Sequence, residues 1–404
     1  MNAQEILSTA DSRIEKIRKA DVTVKVVNRQ GRPLAGVQVD VEQTRHAFLF
    51  GCNIFGLFSY EGEQQRKYHE LFSSLWNFAT LGFYWGAYEP ERGRTQAARE
   101  LQERIARWCK ERNITTKGHP LVWHEVYPRW APSSPDEAKP LLRDRVREIV
   151  SQFKGLIDCW DVVNEATVSA RFDNGVGNWI KRDGAGAVVA ECIGWAREAS
   201  PKATLLYNDY NISADFERLV EELIRRRAPF DAVGIQSHMH GGEWTLERAW
   251  QVCETYSRFG KPLHFTETTV ISGEHGFMRP RPWPTTPDGE ARQADYVPKF
   301  YTVLFSHPAV EAITWWDLMD GAWQGAPAGL VRADLSPKPA YHRLMSLIKG
   351  KWSTKDTVRT NARGEASLRG FLGDYRVTAS GAAGKRTQNF NLKRGKNEWV
   401  IRLG

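Results

Sequence analysis

The chain has 404 residues, of which 41% are hydrophobic and 26% are charged, and its net charge is +8. This composition indicates a globular protein with room for one large domain and a smaller one, and no apolar run reaches the ~18 residues that a membrane span requires. Basic residues are interleaved with acidic ones along the predicted helices, which indicates solvated helix faces and disfavours a nucleic-acid-binding protein.

Both ends of the chain are predicted to be β-rich. After an amphipathic N-terminal helix, residues 22–44 alternate apolar and polar side chains around glycine turns, and residues 351–404 show the same alternation. We therefore divide the chain into 1–45, a central domain at 46–350, and 351–404. An isolated hairpin is only marginally stable, so we expect the two ends to pack together as a small sandwich-like accessory region. No aromatic platform is visible, which favours a structural brace over a carbohydrate-binding module.

The central region alternates short apolar runs with longer segments of helical periodicity. Eight such runs, each followed by a helical segment over roughly 300 residues, predict an α/β fold of the (β/α)8 TIM-barrel type. An open, doubly wound sheet is the alternative, but no glycine-rich phosphate-binding turn follows the first strand. In chain order the predicted strands are AFLFGCNIF, WNFATLGF, TTKGHPLVW, DCWDVVNE, TLLYNDYN, FDAVGIQSHM, PLHFTETTV and EAITWWDLMD.

Two carboxylates stand at the C-terminal ends of predicted strands, where TIM barrels place their active sites. Glu165 ends strand four and Glu267 ends strand seven, 102 residues later. These strands lie nearly opposite each other in a ring of eight, so we expect both side chains to face one cavity. A pair of carboxylates is what glycoside hydrolysis requires, one as proton donor and the other as nucleophile or base. The alternative is that each Glu caps a helix or pairs with an arginine.

The other strand ends carry side chains that suit a sugar ligand. Tryptophan rings can pack against the apolar faces of sugars, while indole N–H groups and amides bond to hydroxyls. His119 and His238 are equally explained as structural histidines, and no HExxH-like spacing is present, so we predict no metal and no cofactor. The polar and aromatic strand-end residues are His119, Trp123, His124, Asn164, Asn208, Asp209, Tyr210, Gln236, His238, His240, Trp315, Trp316 and Asp317.

Several of these stretches, in this order along the chain, resemble the family 10 glycoside hydrolases, best known as endo-1,4-β-xylanases. They are HAFLFGCNI, GHPLVWHEVYPRW, WDVVNEA, LYNDYN, VGIQSHMH, FTET and ITWWDLMDGAW with SPKPAY, over about residues 46–345. The resemblance implies a retaining glycosidase with Glu165 as acid/base and Glu267 as nucleophile. It also implies that Asn164 bonds the 2-hydroxyl of the sugar nearest the scissile bond. We place the following residues with Asn164 in the substrate-binding set: His119, Trp123, Tyr210, Gln236, His238, Trp316, Trp323, Tyr84 and Trp85.

The chain departs from the family pattern after strand two. The family usually has a Glu-Asn-x-Met-Lys-Trp run that binds sugars on the non-reducing side, whereas Thr80, Leu81 and Tyr84 replace its Glu, Asn and Lys here, and Trp85 is kept. Loss of hydroxyl-binding groups changes which sugar fits. Xylan or a xylo-oligosaccharide is therefore the first prediction, and a different β-glycoside or decorated glycan is the alternative. A non-catalytic carbohydrate-binding barrel is a further alternative.

Other departures lie near strands seven and eight. Thr269 stands where the family tends to have an Asp that pairs with His238, and Asp317 stands where it often has Gly. The loop at 272–290 carries Arg279, Arg281 and Trp283. It is either a disordered Pro-rich surface loop or a subsite wall that favours an acidic or substituted glycan.

Partners and location follow from the predicted activity. We predict a carbohydrate substrate, no nucleic-acid or membrane partner, and a monomer. No signal peptide is visible, yet a polysaccharide-degrading enzyme is expected to be secreted or periplasmic, and an oligosaccharide-specific one to be cytoplasmic. The five scattered cysteines predict buried free thiols and no disulfide framework.

Overall fold

The computed structural model describes residues 1–404 and contains sixteen β-strands and thirteen α-helices. The strands are β1 (Lys19–Val27), β2 (Gln38–His46), β3 (Leu49–Asn53), β4 (Phe78–Gly82), β5 (Thr115–His119), β6 (Cys159–Asn164), β7 (Thr204–Asp209), β8 (Ala232–Ile235), β9 (His238–Met239), β10 (Leu263–Val270), β11 (Val310–Trp315), β12 (Lys355–Arg359), β13 (Glu365–Phe371), β14 (Gly373–Gly381), β15 (Gly384–Leu392) and β16 (Asn397–Arg402). The helices are α1 (Ala3–Ser8), α2 (Ala10–Arg18), α3 (Gly62–Leu75), α4 (Trp85–Tyr88), α5 (Gln96–Glu111), α6 (Pro135–Gln152), α7 (Ala166–Ser169), α8 (Gly175–Asp183), α9 (Ala185–Ala199), α10 (Ala214–Arg225), α11 (Leu246–Ser257), α12 (Pro287–Phe305) and α13 (Pro339–Met345).

Eight parallel strands close into a barrel in the order β3-β4-β5-β6-β7-β8-β10-β11. The ring closes where β11 pairs with β3, from Ala312 opposite Leu49 to Trp315 opposite Cys52. This closure confirms the predicted (β/α)8 barrel and excludes the open sheet. Strands such as β6 and β10 are buried along their whole length, because helices cover the outside of the barrel while side chains fill its interior.

The helices present an apolar stripe to the barrel and a polar face to water. In α10, Phe216, Leu219, Val220 and Leu223 are buried and share one face at helical spacing. One continuous core of 83 buried residues joins the barrel strands to these helices. This packing between strands and helices fixes the positions of the strand ends.

The two ends of the chain form the predicted sandwich-like accessory region. Strand β1 lies between β13 and β16 in a three-stranded sheet, and β2 lies between β12 and β14 in a four-stranded sheet that β15 completes. Fifteen buried residues form a separate core between these sheets, which confirms that the N- and C-terminal segments pack together. The structure thus explains the period-two alternation at both ends, since one face of each sheet is buried.

Two smaller predictions concern cysteines and membranes. All five cysteines are free and buried, as predicted. None of the helices combines the length and the apolar character that crossing a bilayer would require.

Candidate active site

Glu165 follows directly on the buried strand β6, in a left-handed backbone conformation with φ of 57°. This conformation is uncommon for a residue other than glycine, and its cost of about 1 kcal/mol or more is typical of functional sites. Helix α7 begins at the next residue, so the chain turns away at the rim of the barrel while Glu165 stays buried, with 7% of the residue exposed.

Both oxygens of Glu165 accept hydrogen bonds. Gln236 Nε2 donates to Oε1 at 2.7 Å, and Trp123 Nε1 donates to Oε2 at 3.0 Å. Burial raises the pKa of Glu165 to about 8, and the negative charge of Glu267 adds to this effect, while the bonds from Gln236 and Trp123 act against it. Glu165 is therefore protonated at neutral pH.

Glu267 lies within β10 and is 4% exposed. Asn208 Nδ2 donates to its Oε1 at 2.8 Å, and His238 Nε2 lies 3.1 Å from its Oε2. Burial alone would raise the pKa of this carboxyl, but the charge of His119 and the hydrogen bond from His238 outweigh burial. The pKa of Glu267 is lowered as a result, and the group is ionised at neutral pH.

A chain of amides connects the two carboxylates. Asn164 Oδ1 accepts from Asn208 Nδ2 at 2.8 Å and lies 3.3 Å from Gln236 Nε2. Asn208 Nδ2 also donates to Glu267, and Gln236 Nε2 also donates to Glu165. The structure therefore brings the two predicted carboxylates, Asn164 and Gln236 into one network. Asn208 stands at a predicted strand end, but its part in this network was not predicted from the sequence.

A buried ion pair that holds His119 was not predicted from the sequence. Asp161 Oδ2 lies 2.7 Å from Lys117 Nζ and 2.8 Å from His119 Nδ1, and all three side chains are buried. Burial favours the neutral acid, but the charge of Lys117 and the bond from His119 outweigh it, so the pKa of Asp161 is lowered. The other ring nitrogen of His119, Nε2, lies 3.7 Å from Glu267 Oε1. The sequence does contain one sign of this ion pair: Lys117 lies inside a predicted strand, where a buried lysine needs a partner of opposite charge.

An aromatic cavity of about 510 Å³ opens beside this network. Tyr84 packs edge-on to His119 with ring centroids 5.6 Å apart and lies 5.7 Å from the ring of Trp123. On the other side, Trp316 packs against His119 at 5.3 Å, and Trp323 stacks on His238 at 4.2 Å. Besides these aromatic residues, the walls include Asn53, Phe55, Tyr60, Tyr68, Glu125, Asp317, Leu318 and Met319.

Two residues of the predicted substrate-binding set, Trp85 and Tyr210, lie apart from both this cavity and the carboxylate network. Trp85 is 5% exposed, donates its indole N–H to Glu89 Oε2 at 2.9 Å and packs against Trp130. We therefore no longer place Trp85 against a sugar. Tyr210 is 43% exposed at the rim, where Arg171 donates to its hydroxyl at 3.0 Å.

The three residues that depart from the family pattern after strand two differ in whether they reach the cavity. Thr80 and Leu81 are fully buried and do not line the cavity, whereas Tyr84 does. Of the three replacements, only Tyr84 can therefore contact a ligand in this cavity. The Tyr84 hydroxyl has no partner in the protein, although it lies near enough to Glu267 and Asp317 for their charges to raise its pKa beyond the effect of burial.

The departures near strands seven and eight have local explanations. Thr269 Oγ1 lies 3.3 Å from His238 Nδ1 and 3.1 Å from His240 Nδ1, so a hydroxyl takes the place of the usual carboxylate. Asp317 accepts from Asn53 Nδ2 at 2.9 Å and from the main-chain N–H of Trp323 at 2.6 Å. Asp317 thus fixes the segment that carries Trp323.

The loop at 272–290 packs against its surroundings. Trp283 is buried and donates to the main-chain oxygen of Glu274 at 2.9 Å, and Phe277 stacks on His240 with centroids 5.5 Å apart. Arg279 pairs with the carboxylate of Glu274. The charge of Arg279 is therefore already compensated within the loop, and the wall for acidic glycans stays a prediction that rests on Arg281.

The residues that come nearest to a metal-ligand set are His124, Glu125 and Glu165, whose ligand atoms lie within 4.8 Å of one another. His124 Nδ1 already bonds Ser169 Oγ at 2.6 Å, both Glu165 oxygens accept hydrogen bonds, and Glu125 is exposed. We assign no metal to this group.

The geometry of this rim agrees with comparisons to known proteins. The sequence profile of glycosyl hydrolase family 10 matches residues 46–347. The chain belongs to this family. The match confirms the predicted resemblance and covers the whole barrel.

The curated relatives differ in how much of their own length this chain covers. The chain is 28% identical to endo-1,4-beta-xylanase B of Thermotoga neapolitana over 75% of this chain and 88% of that protein. It is also 28% identical to the anti-sigma-I factor RsgI6 of Acetivibrio thermocellus, over 96% of this chain but only 49% of that protein. The chain thus spans about half the length of RsgI6.

Solved family 10 structures share the barrel. Xylanase 10B from Thermotoga petrophila RKU-1 in complex with xylobiose superposes with a TM-score of 0.64 at 26% identity, covering 76% of this chain and 95% of that one. Native xylanase 10B from Thermotoga maritima gives the same TM-score and identity. The uncovered part of this chain corresponds in size to its accessory region.

Proposed function

We propose that this family 10 member hydrolyses β-glycosidic bonds with retention of configuration, by double displacement. The observation that supports this most strongly is the opposite shift of two carboxyl pKa values in one network. The pKa of Glu165 is raised to about 8, while that of Glu267 is lowered. Environments that push two carboxyl pKa values apart assign one group as acid and the other as anion.

In the first step, Glu267 attacks the anomeric carbon while Glu165 protonates the leaving oxygen, which yields a glycosyl ester on Glu267 and a free alcohol. Esterification removes the negative charge of Glu267, and that charge contributes to the raised pKa of Glu165. The pKa of Glu165 then falls, so Glu165 becomes a base that deprotonates water in the second step. Water attacks the anomeric carbon and releases Glu267 as a carboxylate.

Neighbouring side chains hold both carboxylates in position for these steps. Trp123 and Gln236 orient Glu165, while His238 and Asn208 orient Glu267. Buried donors that are fixed before the reaction need no reorganisation as charge moves. His119, held by Asp161, adds a polar group on the side of Glu267 that faces the aromatic cavity.

The proposed substrate is a carbohydrate, with xylan or a xylo-oligosaccharide as the first candidate. This choice is supported by relatives named endo-1,4-beta-xylanase and by the xylobiose complex of a similar barrel. Another β-glycoside or a decorated glycan is the second candidate, because Tyr84 lines the cavity in place of the Lys that the family usually has, and Asn53 and Asp317 there already bond to each other. A non-catalytic sugar-binding barrel would have no need of the paired carboxylates.

Glu267→Ala tests the proposed nucleophile. Its turnover of aryl β-xylosides and β-xylan should fall by roughly 10⁴-fold or more, because no covalent intermediate can form. Azide should restore cleavage of the activated substrate and yield a glycosyl azide of inverted configuration. Glu111→Ala, which removes an exposed carboxylate far from the rim, is the control and should be fully active. Wild-type rates in Glu267→Ala would refute the assignment.

We propose the cellular location and the oligomeric state from the proposed substrate. A polysaccharide substrate would place the protein outside the cytoplasm, secreted or periplasmic, and an oligosaccharide would allow a cytoplasmic location. We propose a monomer that needs no nucleic-acid or membrane partner.

A further inference from the structure

A second cavity, of about 120 Å³, lies at the opposite end of the barrel from the carboxylates. It is lined by the residues that precede barrel strands, such as Asn77 before β4 and Arg112 before β5, and by the end of β2 at His46. Trp352, which follows α13, closes it from the side of the C-terminal segment. The cavity therefore lies where both chain ends meet the barrel floor.

Four buried donors of cavity-lining residues have no acceptor in the protein. They are Arg45 Nε, His46 Nε2, Trp76 Nε1 and Trp352 Nε1. No buried acceptor atom of a lining residue lacks a partner. An unmet buried donor costs about 1–3 kcal/mol, so four on residues that line one small space point to something with acceptor atoms inside it.

The tautomer of His46 follows from its hydrogen bond. The main-chain N–H of Phe48 donates to His46 Nδ1 at 2.8 Å, so Nδ1 carries no proton. Burial lowers the pKa of His46 to about 3, and the charges of Arg18 and Lys349 lower it further, so the ring is neutral at pH 7. A neutral ring with a bare Nδ1 has its proton on Nε2. His46 Nε2 is therefore a donor.

The charge around the cavity is positive. Arg45, Arg112 and Lys349 line it, and none of the fifteen lining residues is Asp or Glu. The nearby carboxylates are engaged outside it: Asp374 lies 3.8 Å from Arg45 Nη1, and Glu111 lies 3.4 Å from Arg112 Nη1. Lys349 has no carboxylate partner, so water could accept from the donors but would leave the charge of Lys349 without a counterion.

We propose that this cavity binds a small inorganic anion, which accepts from the indole and imidazole donors and links both chain ends to the barrel floor. A water molecule occupies ~30 Å³ of liquid, so the space admits an ion of the size of chloride or phosphate and excludes a large organic anion such as gluconate. The site is separate from the proposed glycosidase site and does not depend on that activity.

The test measures thermal unfolding of the whole chain at constant ionic strength, as sodium chloride or sodium phosphate replaces sodium gluconate. The expected result is a saturable rise in Tm of several degrees, because a ligand that binds only the folded state stabilises it by mass action. A linear rise without saturation, equal for every anion, would overturn the proposal.

Variants and diffraction sharpen the test. Trp76→Phe and Trp352→Phe each remove one indole donor and should raise the anion concentration at half-saturation by roughly tenfold. Tyr301→Phe removes a buried unpartnered hydroxyl outside the cavity and should leave that concentration unchanged. Crystals of the wild-type protein grown with bromide should show an anomalous peak in the cavity even if a variant fails to fold. Water alone in the cavity would contradict the proposal.

Discussion

The buried carboxyl of Glu165 sets the alkaline limit of activity. The first chemical step needs Glu165 protonated and Glu267 ionised, so kcat/KM on an unactivated oligosaccharide should fall about tenfold per pH unit above about pH 8. The acidic limit should lie below the ordinary Glu range, because the pKa of Glu267 is lowered. In Glu165→Gln, tested on an aryl glycoside with a good leaving group, the alkaline limb should disappear. An unchanged limb in that variant would place the acid elsewhere.

Glu165 should also reduce the stability of the folded state as pH rises. Its pKa is raised in the folded protein, so the unfolded chain ionises first and folding loses free energy between the ordinary Glu pKa and about 8. The loss should amount to a few kcal/mol, at about 1.4 kcal/mol per pKa unit. The Tm of Glu165→Gln relative to wild type should therefore increase from pH 5 to pH 8. A difference that stays constant with pH would argue against the raised pKa.

Tyr84 is predicted to bind the second sugar of the substrate, counted from the glycosidic bond that is cleaved. Its hydroxyl is free, so Tyr84→Phe should lower kcat/KM on an aryl β-xylobioside by up to about tenfold, the value of one neutral hydrogen bond. The aryl β-xyloside, which lacks the second sugar, should be cleaved as before. Tyr60→Phe is the matched control in the same cavity, since the Tyr60 hydroxyl already contacts the sulfur of Met319 at 3.1 Å. Equal losses on both substrates would assign Tyr84 to the cleavage subsite instead.

At the scale of elements, the barrel strands could be predicted because each is a short apolar run that ends in polar residues. Strands β6 and β10 are buried throughout, and Glu165 and Glu267 stand at the tip of one and in the upper part of the other. The position of a residue within a strand indicates how close it lies to the C-terminal end of the barrel. The order of the strands indicates which residues face each other across the barrel. These two features sufficed to pair the carboxylates.

Contacts that depend on register or on loop paths could not be predicted. Lys117 and Asp161 meet because β5 lies beside β6 in a particular register, which the sequence does not state. Trp85 is adjacent to Tyr84 in sequence, yet the short helix α4 carries it away from the cavity to Glu89 and Trp130. The bond from Asp317 to the N–H of Trp323 likewise depends on a turn whose path only the structure shows.

At the scale of the whole molecule, Arg18 connects the accessory region to the barrel. Arg18 is 6% exposed, and its guanidinium donates to the main-chain oxygens of Phe305, His307 and Val310 at 2.7–2.8 Å. The contact supports the interpretation of the chain ends as a brace.

Arg18→Met should destabilise the protein by about 3 kcal/mol, because three buried carbonyl oxygens lose their donor while the aliphatic packing is kept. Urea unfolding should report this loss, with specific activity of the folded protein unchanged at low temperature. Arg29→Met, at a surface turn outside this contact, is the control. Stability equal to wild type would show that the brace does not depend on Arg18.

The central claim is that Glu165 and Glu267 perform a double displacement, and its most direct test is the configuration of the first product. Proton NMR during the first minutes of hydrolysis, before mutarotation, should show the β-anomer of the released reducing sugar as the initial product, followed by slow appearance of the α-anomer. Initial formation of the α-anomer would mean single displacement by water, and would contradict the role of Glu267 as nucleophile.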